Sequence, residues 1–422
     1  MEGGRYAASV AFFAPPATFQ RATIDASSPF RSFHLRMQPD YAGHGLLNLV
    51  QSLSRACGGP VRYAELAALP AAALAEARHV VFILADGLGQ ALFDTLPPDA
   101  ALRRDWRATL SSVFPSTTAA AIGSVMTGLA PAAHGLTGWH VRCCQPQRTL
   151  AVLPLTAREA GLTPTPEAAE ALLPALFPYP TLFAQLTRVS CVLSPRHLAA
   201  SPFNRWHSRG AEVLAYDGLA DLGDRLVERL RTRTAPEYVY AYHPDIDSLA
   251  HRHGWRSPEV AAALLAFDAF YARLVAALQG QDVWLIVSAD HGFIDSPAER
   301  QISLDDHPEL ACRLAAPLSG EGRLAYAQVR AGQEGEFAAY VQRHLAHAVE
   351  LRRSADLVAA GSFGPPPLHP ELLARVGDFC LVMRDDWTIK DWLPNERRYR
   401  LIGHHGGTQP EEMRIPLVAV RL

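Results

Sequence analysis

Four stretches of the chain are apolar at nearly every consecutive position: His79–Leu84, Val189–Leu193, Tyr238–Tyr242 and Val283–Val287. Runs of this length, rich in β-branched and aromatic residues and ended by polar turns such as Asp86-Gly87, predict strands buried on both faces, as in a parallel sheet. Between the last two runs the pattern changes to helical spacing. Ser257 is an N-cap, Pro258 the first helical residue, and Val260, Leu264, Phe267, Tyr271, Leu274 and Leu278 form one stripe that stops at Gly280. A shorter amphipathic helix is predicted over Leu46–Ala56, ended by Gly58-Gly59-Pro60. Alternation of this kind predicts an α/β fold: a mostly parallel central sheet with helices on both faces, binding ligands beyond the carboxyl ends of its strands.

The pattern also suggests boundaries. Residues 1–45 lack sustained periodicity and read as a peripheral N-terminal arm. Residues 46–294 and 401–422 read as the α/β catalytic core. Residues 295–400, with Pro365-Pro366-Pro367 and short strands such as Phe379–Met383, read as an inserted cap subdomain.

Composition narrows the function classes. The chain has 422 residues, 49% of them hydrophobic, and 39 basic against 42 acidic side chains for a formal net charge of −3. No whole-chain field draws it to a nucleic acid duplex or to an anionic membrane. Six cysteines without a C-x-x-C pair read as reduced thiols and a cytoplasmic location, and no run of 18 apolar residues suggests a membrane span. A single lysine, Lys390, stands among arginines.

Chemistry enters where the apolar runs end. The first leads to Asp86, the third to Asp247 with His251 four residues on, the fourth to Asp290-His291, and near the C-terminus stands Gly403-His404-His405-Gly406. Three carboxylates and three imidazoles gathered at one sheet edge suit zinc, with manganese less favoured, and suffice for two ions that clamp an in-line displacement. Thr118, in Phe114-Pro115-Ser116-Thr117-Thr118, opens a predicted helix, where free N–H groups favour an alkoxide and a phosphoryl oxygen. Thr117 is the alternative hydroxyl, and His404 the alternative imidazole to His405. His134, His243 and His253 read as structural, and Cys144-Gln145-Pro146-Gln147-Arg148, 26 residues beyond Thr118, as a chance sulfatase-like match.

These segments, with Thr127-Gly128-Leu129-Ala130-Pro131-Ala132-Ala133-His134-Gly135 between them, recur in the order in which they resemble the alkaline phosphatase superfamily, most closely its type I phosphodiesterase and nucleotide pyrophosphatase branch. The resemblance implies a two-zinc hydrolase of phosphodiester or nucleotide pyrophosphate bonds, acting on a small-molecule phosphoester. Asp86, Thr118, Asp290 and His291 would hold one zinc, with Thr118 as the nucleophile that is transiently modified; Asp247, His251 and His405 would hold the second. On the substrate side the resemblance places Ala119 where relatives often have a base-stacking aromatic, and Trp139 where they have a phosphate-contacting asparagine. The alternatives are a phosphomonoesterase or phosphonate hydrolase on the same site, and a catalytically silent metal-binding member of the fold.

Overall fold

The computed structural model describes residues 36–143, 147–159, 166–394 and 396–422. Most of the expected N-terminal arm, and Cys144–Pro146 of the sulfatase-like match, lie outside the described residues.

Each apolar run is a strand of one sheet. Its members are β1 (His79–Ala85), β2 (Trp106–Ser111), β3 (Val189–Pro195), β4 (Glu212–Tyr216), β5 (Glu237–His243), β6 (Val283–Ser288) and β7 (Arg414–Arg421). Their order is β2-β7-β6-β1-β5-β3-β4. β1 runs parallel to β5 on one side and to β6 on the other, and β3 continues the parallel set to β4. β7 runs antiparallel to both of its neighbours, β2 and β6. The unbroken hydrophobicity of β1 follows from this central place, because Val80, Val81, Phe82, Ile83 and Leu84 are all fully buried.

Helices pack around the sheet. Among them are α1 (Leu46–Ala56), α2 (Thr118–Thr127), α3 (Gly218–Thr232), α4 (Asp245–His253) and α5 (Pro258–Leu278); α2 and α4 carry site residues. Ser257 caps α5 as its sequence implies, its hydroxyl accepting from Val260 N at 3.3 Å. By length and composition α5 could cross a membrane. In the structure its stripe of Val260, Leu264, Phe267, Phe270, Tyr271, Leu274 and Leu278 is buried in the core cluster shared with β1, β5 and β6.

A second, antiparallel sheet stands beside the first. Its strands follow the order 349–353, 379–383, 324–327, 319–320, 140–143, 148–151 and 156–157. Three of them come from residues 140–157, a stretch the sequence reading assigns to the core, and they hydrogen-bond to strand 319–320 through Gly320 and His140. The 295–400 segment has its own small core around Phe337, Phe379, Leu381 and Met383.

Candidate metal centre

β1, β5 and β6 are adjacent and parallel, so their carboxyl ends deliver side chains to one place. Asp86 follows β1, and its N–H donates to His243 O at 2.9 Å, extending the ladder by one residue. Asp247 lies in the first turn of α4, which starts directly after β5; His251, one turn on, shares its face. Asp290 and His291 follow β6. His405 arrives from the far end of the chain, next to a two-residue strand, Gly403–His404, paired antiparallel with Ile294–Asp295.

Gly87 makes the close approach possible. Its φ is +76°, and a Cβ there would stand 2.6 Å from the Phe293 ring and 3.1 Å from Asp247 Cα.

The six side chains converge. His291 Nε2 is 3.3 Å from Asp86 Oδ1 and 3.4 Å from Asp290 Oδ2. Asp247 Oδ1 is 3.4 Å from His251 Nε2 and 3.8 Å from His405 Nε2. The rings of His291 and His405 stack at 3.6 Å. Two trios thus have ligand atoms within 4.8 Å of one another, Asp86–Asp290–His291 and Asp247–His291–His405.

Hydrogen bonding shows what this cluster lacks. Asp86 Oδ1, Asp247 Oδ1 and Asp290 Oδ2 are buried without a hydrogen-bond partner. The companion oxygens of two of them are fixed: Asp86 Oδ2 accepts from the Tyr242 hydroxyl, and Asp290 Oδ1 accepts from Gly87 N at 3.1 Å and His291 N at 3.0 Å. Each imidazole turns Nδ1 to a backbone carbonyl: His251 to Gly403 O at 2.9 Å, His291 to Gly292 O at 3.2 Å and His405 to Ser116 O at 3.3 Å. A carbonyl only accepts, so Nδ1 carries the proton and every Nε2 presents a lone pair inward.

Electrostatics agrees with the geometry. Burial pushes the Asp86 carboxyl well up, and the charges of Asp247 and Asp290 push the same way. Burial likewise raises Asp247 and, with His291 and His251 nearby, holds His405 well below the usual imidazole range. Inward imidazole nitrogens among unpaired carboxylate oxygens form a donor set suited to divalent cations. The residues therefore fit the two metal ions expected from the sequence.

Thr118 is the first residue of α2, with Thr117 in extended conformation before it. The Thr118 hydroxyl is 3.0 Å from His291 Nε2 and donates to it, given the proton on Nδ1. The Thr117 hydroxyl is committed elsewhere, donating to Glu321 Oε1 at 2.5 Å. His404 turns Nε2 to Leu401 O at 3.2 Å, away from the cluster. His134 is occupied on both nitrogens, by Ser124 Oγ at 3.1 Å and Leu136 N at 3.0 Å. His243 stacks on Phe267 at 5.4 Å, and His253 faces Glu259 at 3.9 Å.

The centre opens into a cavity of about 830 Å³ whose walls come from both sheets. Trp139 lines it. Ala119 does not: it is fully buried in the main core cluster. The α2 side chains that do reach the cavity are Ile122 and Met126, at i+4 and i+8 from Thr118, a spacing that could have revealed them. Three further lining residues have no role assigned from sequence. Tyr242 holds Asp86; Glu321 accepts from Thr117 Oγ1 and from Trp139 N at 2.8 Å; Lys390 stands on the far segment. Glu321 has no local motif, and Lys390 had only its singularity.

Comparison with known proteins gives a consistent picture. The family model described as type I phosphodiesterase / nucleotide pyrophosphatase matches residues 80–153 and 176–408. Among solved structures, murine ectonucleotide pyrophosphatase / phosphodiesterase 5, in an inactive form in complex with AMP, is similar with a TM-score of 0.58 at 17% identity, over 81% of this chain and 87% of that one. Phosphonoacetate hydrolase from Sinorhizobium meliloti, in complex with phosphonoacetate, gives a TM-score of 0.59 at 17% identity, over 82% and 90%. No curated protein matches by sequence.

Proposed function

Because the chain belongs to the type I phosphodiesterase / nucleotide pyrophosphatase family, we propose that it is a metal-dependent hydrolase cleaving phosphodiester or nucleotide pyrophosphate bonds through a covalent intermediate on Thr118. One observation carries the reading: three unpaired carboxylate oxygens and three inward imidazole nitrogens gather in one cluster, and a hydroxyl at a helix N-terminus donates to one of those nitrogens. Asp86, Thr118, Asp290 and His291 would hold one zinc ion, and Asp247, His251 and His405 the other, with His291 Nε2 in reach of both groups. A mixed carboxylate and imidazole set suits zinc, with manganese as the alternative. Metal held there would supply Lewis acidity to the hydroxyl, to a water and to the charge developing at phosphorus.

The chain's own groups do the rest. Thr118 Oγ1 forms a bond to phosphorus as the ester oxygen on the opposite side departs with its electron pair, and the proton lost by Thr118 balances the one that oxygen gains. Water then displaces Thr118 from phosphorus, releasing the phosphoryl product and restoring the hydroxyl. Free N–H groups at the start of α2 favour the phosphoryl oxygens in both steps. Tyr242 and the Gly87 N–H keep the Asp86 and Asp290 carboxylates aimed, so no reorientation is needed during reaction.

Charge selects among substrates. Two dications against Asp86, Asp247 and Asp290 leave about +1, which suits a singly charged phosphodiester better than a monoester dianion. A phosphonate hydrolase on the same site is the second reading, supported by the fold likeness to phosphonoacetate hydrolase. Substitution of Thr118 by Ala is the test. Hydrolysis of bis(p-nitrophenyl) phosphate by the zinc-loaded protein should drop by at least about 10³-fold, with zinc still bound. Wild-type rates in this variant would remove Thr118 from the mechanism, and zinc binding without turnover by the unmodified chain on any phosphoester would favour a silent member of the fold.

A further inference from the structure

Lys390 is the only lysine in a chain whose other basic residues are all arginine, and it lines the same cavity as Asp86 and Thr118. A short ribbon places it: Thr388–Lys390 runs parallel to Gln301–Ser303, with Lys390 opposite Ser303. Aromatic rings then hold its ammonium. Nζ donates to the Tyr399 hydroxyl at 3.0 Å and lies 4.2 Å from the Trp392 ring centre and 4.4 Å from that of Tyr399. The two rings meet edge to face at 5.4 Å, which fixes both walls of the cage.

Ring faces attract a cation without cancelling its charge. The nearby carboxylates Asp391 and Glu396 both pair with the buried Arg158 at 2.7 Å, and Glu396 also feels the Lys390 charge at longer range. Among the described residues no carboxylate lies within salt-bridge distance of Lys390 Nζ. One of its three N–H donors is used by Tyr399, leaving two for the cavity. Arg400, also without a carboxylate partner among the described residues, lines the same wall.

We infer that Lys390, in its Trp392–Tyr399 cage, is a specificity-determining residue for a second anionic group, phosphoryl or carboxylate, on the part of the substrate remote from the reacting phosphorus. This rests on the hydrolase reading above, which assigns the reacting phosphoryl to the Thr118 end of the cavity. An ammonium without a direct carboxylate contact elsewhere in that cavity favours a substrate that brings a further negative charge to it.

The test compares zinc-loaded wild type with Lys390→Gln and Lys390→Arg on three substrates: bis(p-nitrophenyl) phosphate, which has no second anion; a dinucleoside pyrophosphate, which has a second phosphoryl; and phosphonoacetate, which has a carboxylate. In Lys390→Gln the ratio of kcat/KM for the cognate anionic substrate to that for bis(p-nitrophenyl) phosphate should fall roughly 10- to 100-fold, carried by KM, the loss expected for one charge-assisted hydrogen bond. Lys390→Arg should recover part of it. Whichever anionic arm shows the fall identifies the group. A ratio within twofold of wild type on both arms overturns the inference, as does an equal fall on all three substrates, which would mark Lys390 as structural. If the wild type cleaves none of the three, the hydrolase reading fails by itself. Binding of inorganic pyrophosphate to the zinc-loaded protein, weakened by Lys390→Gln or not, then decides the anion site.

Discussion

The pair Arg323–Glu412 ties the second sheet to the loop that carries His405, and its loss should weaken both stability and the metal centre. Arg323 Nε and Nη2 meet Glu412 Oε1 and Oε2 at 3.0 and 2.8 Å, and both side chains are fully buried. Glu412 also accepts from Gly407 N at 2.8 Å and Gln409 N at 3.3 Å, so the same carboxylate pins the turn two residues beyond His405. Arg323→Met removes the cation and leaves a charged carboxylate without its bidentate partner in the interior, a change that costs about 3–5 kcal/mol. Denaturant unfolding of the zinc-free protein should show that loss. A competitive zinc titration should show the second equivalent binding more weakly, because the loop presenting His405 loses its anchor. Glu412→Gln keeps an acceptor for Gly407 N while deleting the charge, so Arg323→Met with Glu412→Gln should recover at least half of the stability. A cost below about 1 kcal/mol for the single variant, where an ordinary surface change would fall, or a double variant no more stable than the single, would refute the argument that a buried uncompensated charge is responsible.

Gly87→Ala places a Cβ 2.6 Å from the Phe293 ring in a left-handed conformation; it should destabilise by more than about 1 kcal/mol and lower zinc stoichiometry, measured by elemental analysis. Zinc at 100 times its dissociation constant should raise unfolding free energy by about 2.7 kcal/mol, a shift visible as a higher Tm and abolished by chelator. In chelated protein the raised Asp86 and Asp247 carboxyls reverse the usual acid dependence. At these two groups the folded state binds protons more tightly than the unfolded one, so the stability they contribute is fully present below the ordinary carboxylate value of 3.8 and is lost as pH rises through the raised folded-state values. Without zinc, wild type should therefore lose stability relative to Asp86→Asn as pH rises above 3.8, read as the difference in denaturation midpoint, and zinc should flatten that difference. Glu321→Ala frees Thr117 and Trp139 N at once; kcat should fall about 10-fold or more with little change in zinc content, and an unchanged kcat would show that α2 does not depend on this contact.

The sequence by itself determined the parts of this protein that depend on local pattern. Unbroken apolar runs announced strands buried on both faces, and the polar residue after each run named the sheet edge, because a parallel sheet delivers the ends of neighbouring strands to one place. Asp86, Asp247 with His251, and Asp290-His291 were legible for that reason, and Thr118 from the helix it opens. Side-chain direction within a helix was less legible: Ala119 follows Thr118 in the chain, yet one residue of helix is a turn of about 100°, so Ala119 points into the core and Ile122 and Met126 reach the cavity. Tertiary structure alone decided the rest. Residues 140–157 joined strands from 319–383 because edge strands are paired by long-range hydrogen bonds that carry no signal in either segment. Glu321 came beside Thr117 through a contact across 204 residues, and Lys390 into the wall of the cavity through the pairing of its strand with Gln301–Ser303. Such positions follow from how sheets and loops pack, a property of the whole fold, whereas periodicity reports only which face of each element is apolar.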